Sequence, residues 1–170
     1  VFEQLTPDNT KIAAQIPWDN NLAYFNLGAR GSAGTISVNW SSVSGQPAIW
    51  AHASSSGTAT PTGANKSAHV NGLELGTNTK PSDVTGGSST FYVGAKSATQ
   101  KYFEGSLSEL IIFTGNMTAT EFQQTHTYLA VKYGITIDQT APANYVDSAS
   151  NVIWDATANA AYNNDIAALG

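Results

Sequence analysis

The side chains able to do chemistry fall into four groups along this chain of 170 residues. Glu104 and Glu109 come nearest to a carboxylate pair. Retaining hydrolysis of a glycosidic bond needs two carboxyl groups ~5 Å apart. On an unbulged strand an odd separation sends them to opposite faces, so no catalytic pair is expected. His52, His69 and His126 fall in different predicted elements with no acidic residue at ligand spacing, which argues against zinc. No nucleophile-elbow pattern is present. Asp147, Asp155, Asn163, Asn164 and Asp165 form the densest cluster of hard oxygen donors. Such donors suit calcium, and the same residues also cap turns. Trp18, Asp19, Asn20 and Asn21 join an aromatic ring to amides and a carboxylate in a predicted loop, the composition of a glycan platform. The alternative for the ring is a buried anchor. Trp40 and Trp50 fall in predicted strands and are read as packing residues.

Short strands must position these groups. Residues 1–5, 11–16, 21–27, 35–40, 47–53 and 90–94 read as strands separated by turn chemistry. Residues 67–75 read as a hairpin around Asn71 and Gly72, the strongest hairpin signal in the chain. Residues 54–65 and 76–89 are polar loops by composition. Residues 102–113 read as a strand whose last part, 110–113, is apolar on both faces and therefore predicted to be buried. Residues 119–133 are the predicted helix. Thr118 and Glu121 spell a capping box, Gly134 a stop, and Phe122, Thr125, His126, Leu129 and Tyr133 share a face. Leu129 is expected to be buried where this helix docks on the strands. Residues 135–137 read as a short strand, and 145–147 with 151–155 as a hairpin.

Composition narrows the class. Charged residues are 11%, well under the ~25% of an average domain, so Ser, Thr, Asn and Gln must carry solubility, as in many secreted β-proteins. Seven Lys and Arg never cluster and the net charge is −5, which excludes a nucleic-acid footprint. No apolar run approaches the ~18 residues of a membrane span. With no Cys there is neither a disulfide nor a thiolate metal site. Met117 is the only methionine, so Val1 is no translation start; the expectation is one segment of a larger exported protein, with its signal peptide upstream. Residues 138–170 hold four Asp and no Lys, Arg or Glu, and a module boundary is placed near Asp138.

Within residues 1–113, the order of Ile16 to Trp18, Leu22 to Phe25, Ile49 and Trp50, Val70 to Leu73, Tyr92 to Gly94, and Phe103 to Phe113 resembles laminin-G-like, concanavalin-A-like jelly rolls. Residues 118–170 resemble the module that follows such domains in large bacterial surface proteins. The resemblance implies an all-β fold, an antiparallel β-sandwich of jelly-roll type with one C-terminal helix. Residues 1–137 would be the sandwich, without its first strands, and 138–170 the start of a second β-rich module. It implies a non-catalytic extracellular recognition or adhesion module, on a secreted or cell-surface bacterial protein. Its partners would be a glycan or surface macromolecule and further domains of the same chain, without membrane insertion. The family often holds calcium. It also includes glucanases, whose catalytic pattern of Glu and Asp on one strand is matched here only by the oddly spaced Glu104 and Glu109. Two alternatives stay open: an accessory carbohydrate-binding domain of a polysaccharide-degrading enzyme, and a spacer in a surface fibre.

Overall fold

Alternation and turn chemistry build the frame. The computed structural model describes residues 2–4, 11–19, 21–28, 34–41, 45–54, 65–80, 90–98, 100–115, 117–163 and 166. Strand β2 (Lys11–Asp19) turns back through Asn21, whose left-handed backbone (φ 61°) suits a tight hairpin. Asp19 thereby pairs with Leu22 at the head of β3 (Leu22–Gly28). β4 (Thr35–Asn39) alternates as its sequence demands, with Ile36 and Val38 buried and Ser37 and Asn39 exposed. With β1 (Phe2–Gln4) and β8 (Phe91–Val93) these form a five-stranded antiparallel sheet in the order β4-β3-β2-β1-β8.

A second antiparallel sheet holds β5 (Trp50–Ser54), β6 (Lys66–Val70) and β7 (Leu73–Asn78) in that order. The central strand β6 is buried along its whole length. Its hairpin to β7 turns on Asn71 and Gly72, both at positive φ. A small hairpin, β9 (Ala95–Ser97) with β10 (Gln100–Tyr102), follows.

The two larger sheets share one core. Ala14, Ile16, Ala23, Phe25, Ile36 and Val38 come from the first and Ala68 from the second, with Trp40, Trp50 and Leu75 packed on them. Gly76 lets β7 approach β4 closely. A Cβ there would lie 3.1 Å from Ile36 Cγ2, closer than ordinary van der Waals contact.

A second core surrounds helix α1 (Ala119–Tyr133). It starts with the predicted capping box: Thr118 Oγ1 accepts from Glu121 N–H, and the Glu121 carboxylate accepts from Thr118 N–H at 2.7 Å. It ends at Gly134 (φ 64°). Ala130 packs with Ile49, Ile137 and Tyr145, and Leu129, Val131 and Trp154 border them. Tyr145 and Trp154 belong to the predicted hairpin, β11 (Tyr145–Val146) with β12 (Val152–Trp154). Among the described residues the chain is thus mostly strands in antiparallel sheets, with one α-helix.

Two expectations fail, and a third holds in part. Residues 103–113 are not a strand, and Leu107, Leu110, Ile111, Ile112 and Phe113 are exposed. Among the described residues no strand runs beside them. Residues 135–137 are not a strand either, because their amides find other acceptors. Ile135 N–H donates to Ala130 O, Ile137 N–H to the Tyr145 hydroxyl and, just beyond, Asp138 N–H to Asn71 O. The helix packs by part of its expected face, with Phe122 on His69 and His126 buried. His126, Thr127 and Ala130 are buried, Leu129 is half-buried and Tyr133 is exposed. α1 is held from two sides, by His69 of β6 against Phe122 on the expected face and by Val146 N–H on Thr127 Oγ1 beside it.

Candidate functional site

The residues expected to form a glycan platform fall at the β2–β3 hairpin tip. Trp18 and Asp19 close β2, with their side chains outside what the structure describes, and Asn20 lies outside the described residues. Asn21 is exposed. Its carbonyl accepts from Trp40 N–H at 3.2 Å, which joins the end of β4 to the tip. Trp40 is half-buried on the first core, Asn39 and Ser41 are exposed, and Asn39 Oδ1 accepts from Ser41 N–H at 2.9 Å. One end of the five-stranded sheet therefore gathers an aromatic ring, two amide side chains and a hydroxyl. Sequence reasoning assigned Trp40 to packing and passed over Asn39. The antiparallel pairing of Leu22 with Asn39 brings them to this corner, and no local motif announces it.

The oxygen donors expected for calcium occupy separate turns. Pairing of Tyr145 with Trp154 puts Asp147 and Asp155 at opposite ends of the β11–β12 hairpin. Asp147 Oδ1 accepts from Ala149 and Asn151 N–H, both at 2.8 Å, and its Oδ2 accepts from Asn151 Nδ2 at 2.9 Å. The Asn151 side chain and the turn amides hold its carboxyl below the usual carboxylate range. Asp155 Oδ1 caps the next turn through Thr157 and Ala158 N–H. Asn163 closes the 3-10 turn Ala160–Tyr162, and Asn164 and Asp165 lie outside the described residues. The donor chemistry suits a hard cation, but the described carboxylates are spent on turn amides and do not converge. Among the described residues no group of three or more His, Cys, Asp or Glu could hold a metal.

The histidines sit inside the molecule. His52 meets the Phe25 ring edge-on at 5.1 Å, and neither ring nitrogen has a hydrogen-bond partner among the described residues. Burial, helped by Lys66 nearby, lowers its pKa to about 3. His69 and His126 flank Phe122 at 4.6 and 4.2 Å, and burial lowers both, His69 to about 4. His126 Nδ1 lies 3.0 Å from the Phe122 carbonyl, which only accepts, so the proton sits on Nδ1. Its Nε2 is a buried acceptor without a partner among the described residues. His126 borders a cleft of about 440 Å³ with Phe122, Gln123, Ile137, Asn144 and Thr157. Two of the polar side chains there are hydrogen-bonded: Gln123 Nε2 donates to Asn144 O at 2.9 Å, and Asn144 Oδ1 accepts from Ala156 N–H at 2.8 Å. The cleft lies between the helix and the segment after it.

Glu104 is exposed, whereas Glu109 is tied to the helix. Its carboxylate accepts from Lys132 Nζ at 3.0 Å, the Tyr133 hydroxyl at 2.9 Å and the Tyr128 hydroxyl at 3.1 Å. Lys132, first among these, holds the Glu109 carboxyl below its ordinary value. Lys132 itself is pushed up, first by its bond to Tyr128 and then by Glu109. Its ammonium also lies 5.0 Å from the Tyr128 ring centroid and 5.4 Å from that of Tyr133. Sequence reasoning missed this cluster. Its only signal was a single acid inside an apolar run, facing a Tyr and a Lys four residues apart on a helix.

A family model described as "Domain of unknown function (DUF8202)" matches residues 121–170, from the first turn of α1 onward. No curated protein and no solved structure matches the chain.

Proposed function

We propose that this chain is a non-catalytic recognition and adhesion module that binds glycan at the β2–β3 hairpin tip. Its fold would be a jelly-roll sandwich of the laminin-G-like kind, on the outside of a larger exported bacterial protein. Two antiparallel sheets sharing one core support the sandwich. The observation that carries the binding site is the Trp40 N–H bond to the Asn21 carbonyl. It sets Trp40 and Asn39 beside Asn21, so that a ring able to stack on sugar C–H faces lies near amides able to hydrogen-bond hydroxyls.

A glycan array with and without calcium tests this reading. Binding to a polysaccharide class, lost in Trp18→Ala and weakened in Asn39→Ala, supports the site; dependence on calcium would add the ion to it. Silence across the array in both conditions removes the glycan reading.

A further inference from the structure

Residues 104–115 combine two features that do not belong on a finished surface. Among the described residues no hydrogen bond reaches their main chain; the last before them is Phe103 N–H to Gly94 O, at 2.8 Å. Leu107, Leu110, Ile111, Ile112 and Phe113 are 38 to 64% exposed, beside exposed Tyr128 and Tyr133 of α1. Unpaired amides and carbonyls on an apolar run can serve as a template for strand pairing.

We propose that residues 106–113 are the interface for a second copy of this chain, paired antiparallel about a two-fold axis. With Leu110 opposite its own symmetry mate, Leu107 falls opposite Phe113, so the same patch is complementary to itself. Charge permits this. The chain carries −5 overall, yet Glu109 is the only charged residue in 105–115, and Lys132 neutralises it at 3.0 Å. Area permits it as well. Seven large side chains at about half exposure offer roughly 600 Å² per copy, taking 150–250 Å² for a whole aromatic and somewhat less for Leu or Ile. A stable interface covers ~800 Å² per partner, and the paired main chains supply the rest.

Sedimentation equilibrium of the 170-residue chain, from micromolar to submillimolar concentration, reads the result. The expected outcome is a reversible dimer, with amide exchange slowed across 106–113 as dimer fills. Leu110→Lys sets two like charges opposite each other and should weaken dimerisation about tenfold or more at unchanged circular dichroism. Tyr162→Ala, on an exposed residue of the 3-10 turn, should leave dimerisation unchanged. A monomer throughout the range overturns the proposal. So does open-ended association, or a dimer in which the amides of 106–113 exchange as fast as in the monomer. The exchange measurement needs no variant, so it stands even if Leu110→Lys misfolds.

Discussion

His52 is a polar ring in an apolar setting, against Phe25 with both nitrogens unpartnered among the described residues. A neutral buried imidazole ties stability to pH. Its folded pKa, about 3, lies below the ordinary 6.5, and His69 follows at about 4. The unfolded chain therefore binds protons first as pH falls. Stability is full above pH 6.5 and declines on acidification toward the folded values, by about 1.4 kcal/mol per pH unit for each such histidine. The carboxylates held low, Glu109 and Glu121, add to this only below about 4.5, so the window between belongs to histidine. His52→Phe should flatten the decline and leave stability at neutral pH equal or higher, since two unpartnered polar atoms go. Urea unfolding at pH 7.5, 6 and 5 measures both, and an unchanged slope would refute this account. Sequence reasoning placed the three histidines in different elements and expected His126 on the inner helix face, as found. It did not anticipate that His69 and His126 would clasp Phe122, because that contact joins a strand to a helix more than fifty residues later.

Helix α1 shows why some elements were legible. Its bounds follow from Thr118, Glu121 and Gly134, which act within one turn of the ends they set. The Asn71–Gly72 and β11–β12 hairpins were equally local. The expected strand over 102–113 failed beyond Tyr102 for the opposite reason: alternation states what a segment needs on each side, and the neighbour must come from elsewhere in the fold. The helix face was legible in part: Phe122, His126 and Leu129 pack as expected, Tyr133 is exposed, and Thr127 and Ala130 turn instead to the hairpin that follows. That hairpin meets α1 through Tyr145, which is buried and whose hydroxyl accepts from Ile137 N–H at 2.7 Å. Tyr145→Phe keeps the ring against Trp154 but strands a buried amide, at a cost of about 1–3 kcal/mol. Denaturant unfolding should show a lower midpoint with an unchanged slope. A midpoint equal to the parent's would mean that water replaces the hydroxyl and that the join is looser than the bond implies.

The two cores are held together by a hairpin tip. Asn71 N–H donates to Ile49 O, the Asn71 side chain accepts from Ile49 N–H, and its carbonyl accepts from Asp138 N–H, all at 2.7 to 2.8 Å. Gly72 beside it admits Ile137, whose Cγ2 would lie 2.9 Å from a Cβ on that residue. Ile49 belongs to the helix core while its neighbour Trp50 packs on the sheet core, so this corner is where both meet. Asn71 and Gly72 announced a turn in the sequence, yet nothing local revealed that the turn would bind a segment some sixty-five residues downstream. The architecture predicts a single cooperative unfolding transition, seen alike by far-UV dichroism and tryptophan fluorescence. Asn71→Gly keeps the positive φ and loses only the side-chain bond to Ile49. Asn71→Ala loses that bond and also strains the turn, since φ is 49° there. The glycine variant should therefore unfold at a slightly lower temperature and still in one step. The alanine variant should separate the cores: amides of β6 and β7 exchange by an opening that leaves those of α1 protected. If exchange in the alanine variant rises equally in both regions and the two optical probes still coincide, the tip adds stability without coupling, and the cores are joined by the packing of Phe122 on His69.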